Sequence, residues 1–373
     1  MWVGGQHEGG SFKEGGVYAR PARRLATPAL LTASLLAWFT LWTAGLPPLP
    51  SSLGASIVMV AGLLLLERAM PRPGLDPRAS GTLLSDVAFT ATTTVVAVVA
   101  PSLAVVPLAR AAAAAVGVAP IWPTHLPFWV NTVAGILVVD LTSYWWHRLQ
   151  HTTGGSWMWR IHSVHHSSRH FDFWMGARVH PLDTLGFTVV GYGLLGVLGT
   201  PTAAIEMTAF FASMVGAVHH TRVDSDCGWL NRILPFADHH VVHHSILPRD
   251  AGNYGNLTTV FDQLFATYRP PTPRRCAPVG AWSLAEDYPQ GAYTFQMLSP
   301  FGRFWRRATS PSAADDLEIR PTLSSWRPDR RSVLLFENTL TSLGARAQRS
   351  AACNRSSVSD YDCEHGHEDK TSR

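Results

Sequence analysis

The sequence predicts an all-α integral membrane helical bundle of about four spans plus a helical hairpin, capped on its cytoplasmic side by a histidine-rich region suited to two metal ions. Three observations predict it. Long, nearly uncharged apolar stretches recur through the first two-thirds of a 373-residue chain that is 46% hydrophobic. Arginines flank the first two of these stretches. Thirteen of the seventeen histidines lie between His147 and His244, most of them in three tight clusters.

Residues 1–24 form an N-terminal segment whose glycine-rich, polar start, Met1 to Gly16, is expected to be disordered. Residues 25–127 follow as N-terminal transmembrane helices. Their apolar runs are Ala29 to Leu46, Leu53 to Leu66 and Val87 to Val106; a crossing needs about 20 mainly apolar residues, or about 17 in a short span. The first run is too long for a cleaved signal and further spans follow it, so it reads as a retained helix. Pro47, Pro48 and Pro50 make the first tight turn, and Pro71 to Pro77 a loop. Arg20, Arg23 and Arg24 precede the first span, and Arg68, Arg72 and Arg78 follow the second. The positive-inside rule makes that side cytoplasmic. Ala111 to Pro123 reads as a short interfacial piece, with Trp122 at the membrane boundary.

Residues 128–268 carry the fourth span, Phe128 to Trp146, and a hairpin, Leu185 to Val218, broken at Gly199, Thr200 and Pro201. Counting crossings, His147 emerges on the cytoplasmic side and the chain returns there at His219. Residues 269–308 form a C-terminal extension that opens with the prolines and arginines of Arg269 to Pro278. Residues 309–373, rich in serine, arginine and acidic groups, read as a disordered tail.

The histidine clusters are HRLQH at His147 to His151, HSVHH at His162 to His166, and HHVVHH at His239 to His244. A neutral imidazole presents a nitrogen lone pair to iron, zinc or copper, whereas a buried unpaired one only costs desolvation. Residues three or four apart on a helix share a face. His147 therefore points with His151, His162 with His165 and His166, and His240 with His243 and His244. That inventory exceeds the three or four ligands of a single zinc site and suits two ions, each with an open position. Asp140, Tyr144, His147 and His151 line one helical stripe. Asp140 is either an interfacial carboxylate or one that hydrogen-bonds a ligand histidine and fixes its tautomer. Cys227, Cys276, Cys353 and Cys363 show no CxxC spacing, which argues against a disulfide framework or a thiolate zinc site. The charge of +4 suits anionic lipid headgroups, and no motif points to nucleic acid.

Asp140-Leu-Thr-Ser-Tyr-Trp-Trp-His147-Arg-Leu-Gln-His151, Trp159-Arg-Ile-His162-Ser-Val-His165-His166, Arg178-Val-His180-Pro, His240-Val-Val-His243-His244, Asn253-Tyr-Gly and the run Phe261 to Tyr268 together resemble the fatty acid hydroxylase/sterol desaturase superfamily. The resemblance covers about residues 128–268. It implies a membrane-bound enzyme that holds two iron ions and uses O2 and external electrons to hydroxylate or desaturate a lipid C–H bond. It further implies His147, His151, His162, His165, His166, His240, His243 and His244 as ligands, with His180 and His219 or His220 ranked below them. The chain departs from the family pattern in the doubled His219-His220, in Asp238-His239-His240 where a single leading histidine is commoner, and in Ala266 where glycine is frequent. His239 reads as either an outer partner of the site or a surface residue. Asp140, Asp183 and Asp262 are the carboxylates available to tune the metals.

No haem, flavin or iron–sulfur motif occurs, so an external donor such as a ferredoxin or a cytochrome b5-like protein is implied. The competing readings are a membrane zinc hydrolase, a metal transporter and a non-catalytic metal-binding scaffold. HRLQH lacks the general-base glutamate of HExxH. The histidines sit at span ends, unlike the mid-membrane sites of transporters.

Overall fold

The computed structural model describes residues 19–73, 75, 82–153, 156–247, 250–271, 279–281, 288 and 291–302. The glycine-rich start, Arg78, most of the Arg269 to Pro278 stretch, the 309–373 tail, Cys276, Cys353 and Cys363 lie outside the described residues. Within them the chain is helical, with isolated β-bridges in place of strands.

Helices α1 (Arg20–Thr43) and α2 (Pro48–Ala69) form an antiparallel hairpin, each opened by a proline in its first turn, where a missing N–H costs nothing. The third helix, α3, runs from Leu83 to Ala115 and widens in the middle. Ala100 N–H bonds Val95 O and Val106 N–H bonds Pro101 O, five residues back. Pro101 and Pro107 lack the N–H that a regular ladder needs there, and the ladder slips into π geometry. The alanines from Ala111 to Ala115, expected in an interfacial piece, belong to this helix instead. Alanine is the strongest helix former and extends it until Gly117 turns the chain at φ 74°.

Next come α4 (Phe128–Thr152), α5 (Trp157–His166) and the single turn α6 (Phe173–Gly176). The predicted hairpin is α7 (Pro181–Leu198) and α8 (Thr202–His219), with Gly199 as the left-handed cap between them. Short helices α9 (Ala237–His243), α10 (Val260–Leu264) and α11 (Tyr293–Leu298) complete the cap.

Among the described residues five helices are long and apolar enough to cross a membrane: α1, α2, α3, α7 and α8. The sixth, α4, has 25 residues, but Asn131 and Asp140 dilute its apolar character. It lies against α7 and α8. At Gly135 a Cβ would sit 2.8 Å from Thr208 Oγ1, so the α4–α8 crossing depends on the missing side chain. Trp38 closes the far side of the bundle, fully buried, donating Nε1–H to Ser52 Oγ at 2.9 Å and stacking on Phe128 and Phe210.

The histidine-bearing end is where α1 and α7 begin and where α2, α4 and α8 finish. Arg23 O accepts from Asp226 N at 3.0 Å, and Arg23 Nε meets Asp224 Oδ2 at 3.0 Å. Met70 O accepts from Asp224 N at 2.7 Å, and Arg72 N donates to Arg222 O at 2.8 Å. The basic start of α1 and the end of α2 are thus laced to the segment that follows α8.

Candidate metal centre

Two groups of histidines gather at this end, each with nitrogens within 4.8 Å of one another. One holds His147, His151, His162, His166 and His243; the other holds His165, His220, His240 and His244. Helix geometry explains the division. Successive helical residues turn by about 100°, so i and i+4 stay nearly aligned while i+3 and i+4 diverge. The pairs 147/151, 162/166 and 240/244 each remain in one cage, while His165 and His243 turn into the other.

Hydrogen bonds fix the tautomers. His147 Nδ1 faces Tyr254 O at 2.9 Å, His243 Nδ1 faces Gly252 O at 2.8 Å and His220 Nδ1 faces Gly216 O at 2.9 Å. His162 Nδ1 lies 2.8 Å from Asp183 Oδ2. A carbonyl or carboxylate only accepts, so each of these Nδ1 atoms carries the proton and each Nε2 is a bare lone pair. Yet His147 Nε2 and His162 Nε2 are 3.1 Å apart. Two lone pairs at that distance repel unless a cation lies between them.

The other contacts repeat the spacing: His166 to His162 at 3.1 Å, His220 to His165 at 3.1 Å, His240 to His220 at 3.0 Å and His244 to His240 at 3.2 Å, all Nε2 to Nε2. Metal–nitrogen bonds of about 2.0–2.1 Å at right angles put neighbouring nitrogens about 3 Å apart. The donor set therefore fits two late first-row ions. Burial, reinforced by neighbouring imidazoles, holds His165, His166, His220, His240 and His244 well below the usual histidine range, and His243 down to about 3. Those six imidazoles are held neutral and ready to bind.

A second layer positions them. Asp183, on the first turn of α7, also accepts from Gln150 Nε2. The loop 252–255 supplies the carbonyls for His147 and His243, and Asp262 holds that loop by accepting from Tyr254 N and Gly255 N, both at 2.8 Å. Asn253 sits at φ 57°, with Nδ2 donating to Arg269 O at 2.9 Å. Ala266 is left-handed at φ 59°, a conformation that accounts for the frequent glycine at its place.

Several expectations need correction. Asp140 touches no histidine: its carboxylate accepts from Leu257 N at 2.9 Å and from Thr258 N and Oγ1. The loop after α9 leaves amides unpaired inside the bundle, and Asp140 is the acceptor within reach. His180 lies outside both cages. It caps α7, with Nδ1 accepting from Leu182 N at 3.1 Å, so Nε2 carries the proton toward Met297 O. Of the doubled pair, His220 enters a cage; His219 stacks on His240 at 4.0 Å with its Nδ1 unpartnered. His239 is neither a surface residue nor in a cage; it is buried and stacked on Tyr268 at 4.9 Å. Sequence reasoning did not find the carbonyls of Gly216, Gly252 and Tyr254, which carry no side-chain signature.

A crevice of about 70 Å³ reaches the five-histidine cage, between His151, Trp159, His166, His243 and Tyr254. It has room for a water or two and not for a lipid chain.

Apolar spanning helices that end in paired histidine cages define a class: helical membrane proteins with a built site for two metal ions. Residues 132–267 match the family model for fatty acid hydroxylase. Over that stretch the chain is similar to the fatty acid hydroxylase/sterol desaturase superfamily. It is 27% identical to an ornithine lipid hydroxylase of Rhizobium tropici over 66% of this chain and 75% of that protein. It is 28% identical to an alkylglycerol monooxygenase of Danio rerio over 40% of this chain, and 27% identical to a Delta(7)-sterol 5(6)-desaturase of Gibberella zeae over 39%. The chain spans only 32% of the former's length and 43% of the latter's. No solved structure matches it.

Proposed function

We propose that this protein is a membrane-bound di-iron oxygenase that uses O2 and external electrons to hydroxylate or desaturate a C–H bond of a membrane lipid. The observation that carries this reading is the pair of adjacent all-histidine cages with bare nitrogens turned toward one another. His147, His151, His162, His166 and His243 hold one ion, and His165, His220, His240 and His244 the other.

Bound iron, given O2 and two electrons, supplies an oxidant strong enough for an unactivated C–H bond. The chain's own residues prepare for it. Tyr254 O, Gly252 O, Gly216 O and Asp183 keep the Nδ1 protons and so leave Nε2 free to bind. Among the described residues no carboxylate enters either cage, which would leave the positive charge of the ions undiminished. Trp159 and Tyr254 wall the crevice and restrict water. Because the crevice is too small for an acyl chain, the lipid enters sideways from the bilayer between helices.

The arginines of α1 and α2 share an end with the cages, which supports a cytoplasmic site by the positive-inside rule. A ferredoxin or cytochrome b5-like donor docks on that side. Residues 128–268 are the catalytic domain, and 25–127 are the helices that mount it.

The test joins metal analysis of gently purified protein with lipid mass spectrometry under 18O2. Two irons per chain are expected, together with a lipid that gains labelled oxygen or loses two hydrogens. One tightly bound zinc with hydrolase activity refutes the reading.

A further inference from the structure

A cleft of about 460 Å³ opens between the last turn of α2 and the segments on either side of the cages, away from the narrow crevice. Its floor is apolar, made by Leu64, Leu65 and Trp174, and its rim carries Arg68 and Arg222. Within one helical turn α2 passes from leucines to charge, which sets this cleft at the boundary between hydrocarbon and headgroups.

The two acidic residues of the rim are consumed by the fold. Glu67 Oε1 accepts from Phe173 N at 2.8 Å, Thr221 Oγ1 at 2.9 Å and Arg222 N at 2.8 Å. Asp172 Oδ1 caps α6 through Met175 N at 3.0 Å. Among the described residues neither Arg68 nor Arg222 has a carboxylate within ion-pair distance. Arg68 is exposed and Arg222 half-buried. Two unpaired guanidinium groups over an apolar floor match a lipid whose headgroup is anionic.

The cleft also borders the chemistry. Phe171, next to Asp172, lies with its ring 6.0 Å from His220 and 5.5 Å from His244. Thr221, bonded to Glu67, directly follows His220. One layer of side chains separates the cleft from the four-histidine cage.

We propose that this cleft is the headgroup site of the lipid substrate, where Arg68 and Arg222 grip an anionic group while Leu64, Leu65 and Trp174 receive the first carbons of the chain. The proposal rests on the reading of the protein as a lipid oxygenase and assigns its substrate class: lipids whose headgroup carries a net negative charge.

The test is retention of phosphatidylglycerol against phosphatidylcholine by the full-length protein in detergent micelles, read by native mass spectrometry, with iron content measured in parallel. The wild type is expected to favour phosphatidylglycerol. Each arginine is worth about fivefold at a membrane surface, so Arg68→Gln with Arg222→Gln should weaken retention about thirtyfold. The Arg68→Lys, Arg222→Lys protein should recover part of that loss. Arg68→Gln alone, at an exposed position, carries the test if the double variant does not fold. Equal retention of the two lipids by the wild type overturns the proposal. So does unchanged retention in the variants, or displacement of the lipid by inorganic phosphate, which marks a free-anion site. A protein with two irons that oxidises lipid without headgroup preference defeats this proposal alone; one without iron that still retains phosphatidylglycerol defeats the oxygenase reading.

Discussion

The five-histidine and four-histidine cages draw on the same three boxes, yet different layers hold them. Around the first, three imidazoles are pinned through Nδ1: His147 and His243 to carbonyls of the 252–255 loop, and His162 to Asp183. Around the second, His220 is pinned to Gly216 O and His165 meets the backbone of Arg178, while among the described residues Nδ1 of His240 and of His244 has no hydrogen-bond partner. The first is also the one reached by the narrow crevice. A hydrogen-bonded frame holds imidazoles at an opening that water can reach, while close packing holds those that are enclosed. The first cage should therefore respond to polar substitutions in its frame and the second to steric ones.

The largest expected effect comes from the cages themselves. His162→Ala and His240→Ala should each lower iron from two toward one per chain and reduce lipid oxidation to background, beyond the about 10–100-fold that outer partners cost. Metal analysis with turnover checks this, and full activity in either variant would remove that histidine from the ligand set.

Next comes a contrast between two buried carboxylates. Asp183→Asn should weaken metal binding about 10–100-fold in the five-histidine cage and leave the other ion in place. Asp140→Asn should leave metal affinity unchanged and cost stability of about 1–3 kcal/mol, because the amides of Leu257 and Thr258 lose their charged acceptor. Iron titration and thermal melting separate the two. If Asp140→Asn sheds iron at unchanged stability, the carboxylate acts on the metals after all.

Acid probes both cages together. His165, His166, His220, His240, His243 and His244 titrate below 6.5 when folded, His243 near 3, so between those values the unfolded chain binds more protons than the folded one. Metal-free protein should lose stability as pH falls through 6.5, by about 1.4 kcal/mol per pH unit for each such histidine. Iron-loaded protein should resist to lower pH. Melting curves from pH 7.5 to 5 suffice; parallel curves for the two forms would contradict the neutral-cage picture.

The smallest effect concerns the loop behind the five-histidine cage. Ala266 is left-handed, so Ala266→Gly should raise stability by about 0.5–1 kcal/mol, seen as a higher melting temperature with unchanged iron content.

Much of this was readable before folding was known, for reasons that are local. The spacing of apolar runs marks α1, α2, α4 and the α7–α8 hairpin, and helical periodicity pairs 147 with 151, 162 with 166 and 240 with 244, but the single shared face expected of each box is wrong for His165 and His243, which turn to the opposite cage. What stayed hidden depends on where helices stop and which distant segments meet. α8 ends at His219 and His220 leaves helical geometry at φ −105°, a break that decides which imidazole enters the cage. His180 was lost to α7 because capping and metal binding draw on the same lone pair. Asp140 and Asp183 are both buried carboxylates near histidines; only the return of residues 257–258 to α4 tells them apart.

Glu67 bears on where this protein is cut for study. The stretch recognisable as the family begins at residue 132, yet the carboxylate that ties Phe173, Thr221 and Arg222 together sits 65 residues earlier. A fragment begun at residue 128 would retain every cage histidine and lose the acceptor for three donors around His220. The unit that evolution marks by motif is thus smaller than the unit that must be expressed to keep its second cage in shape.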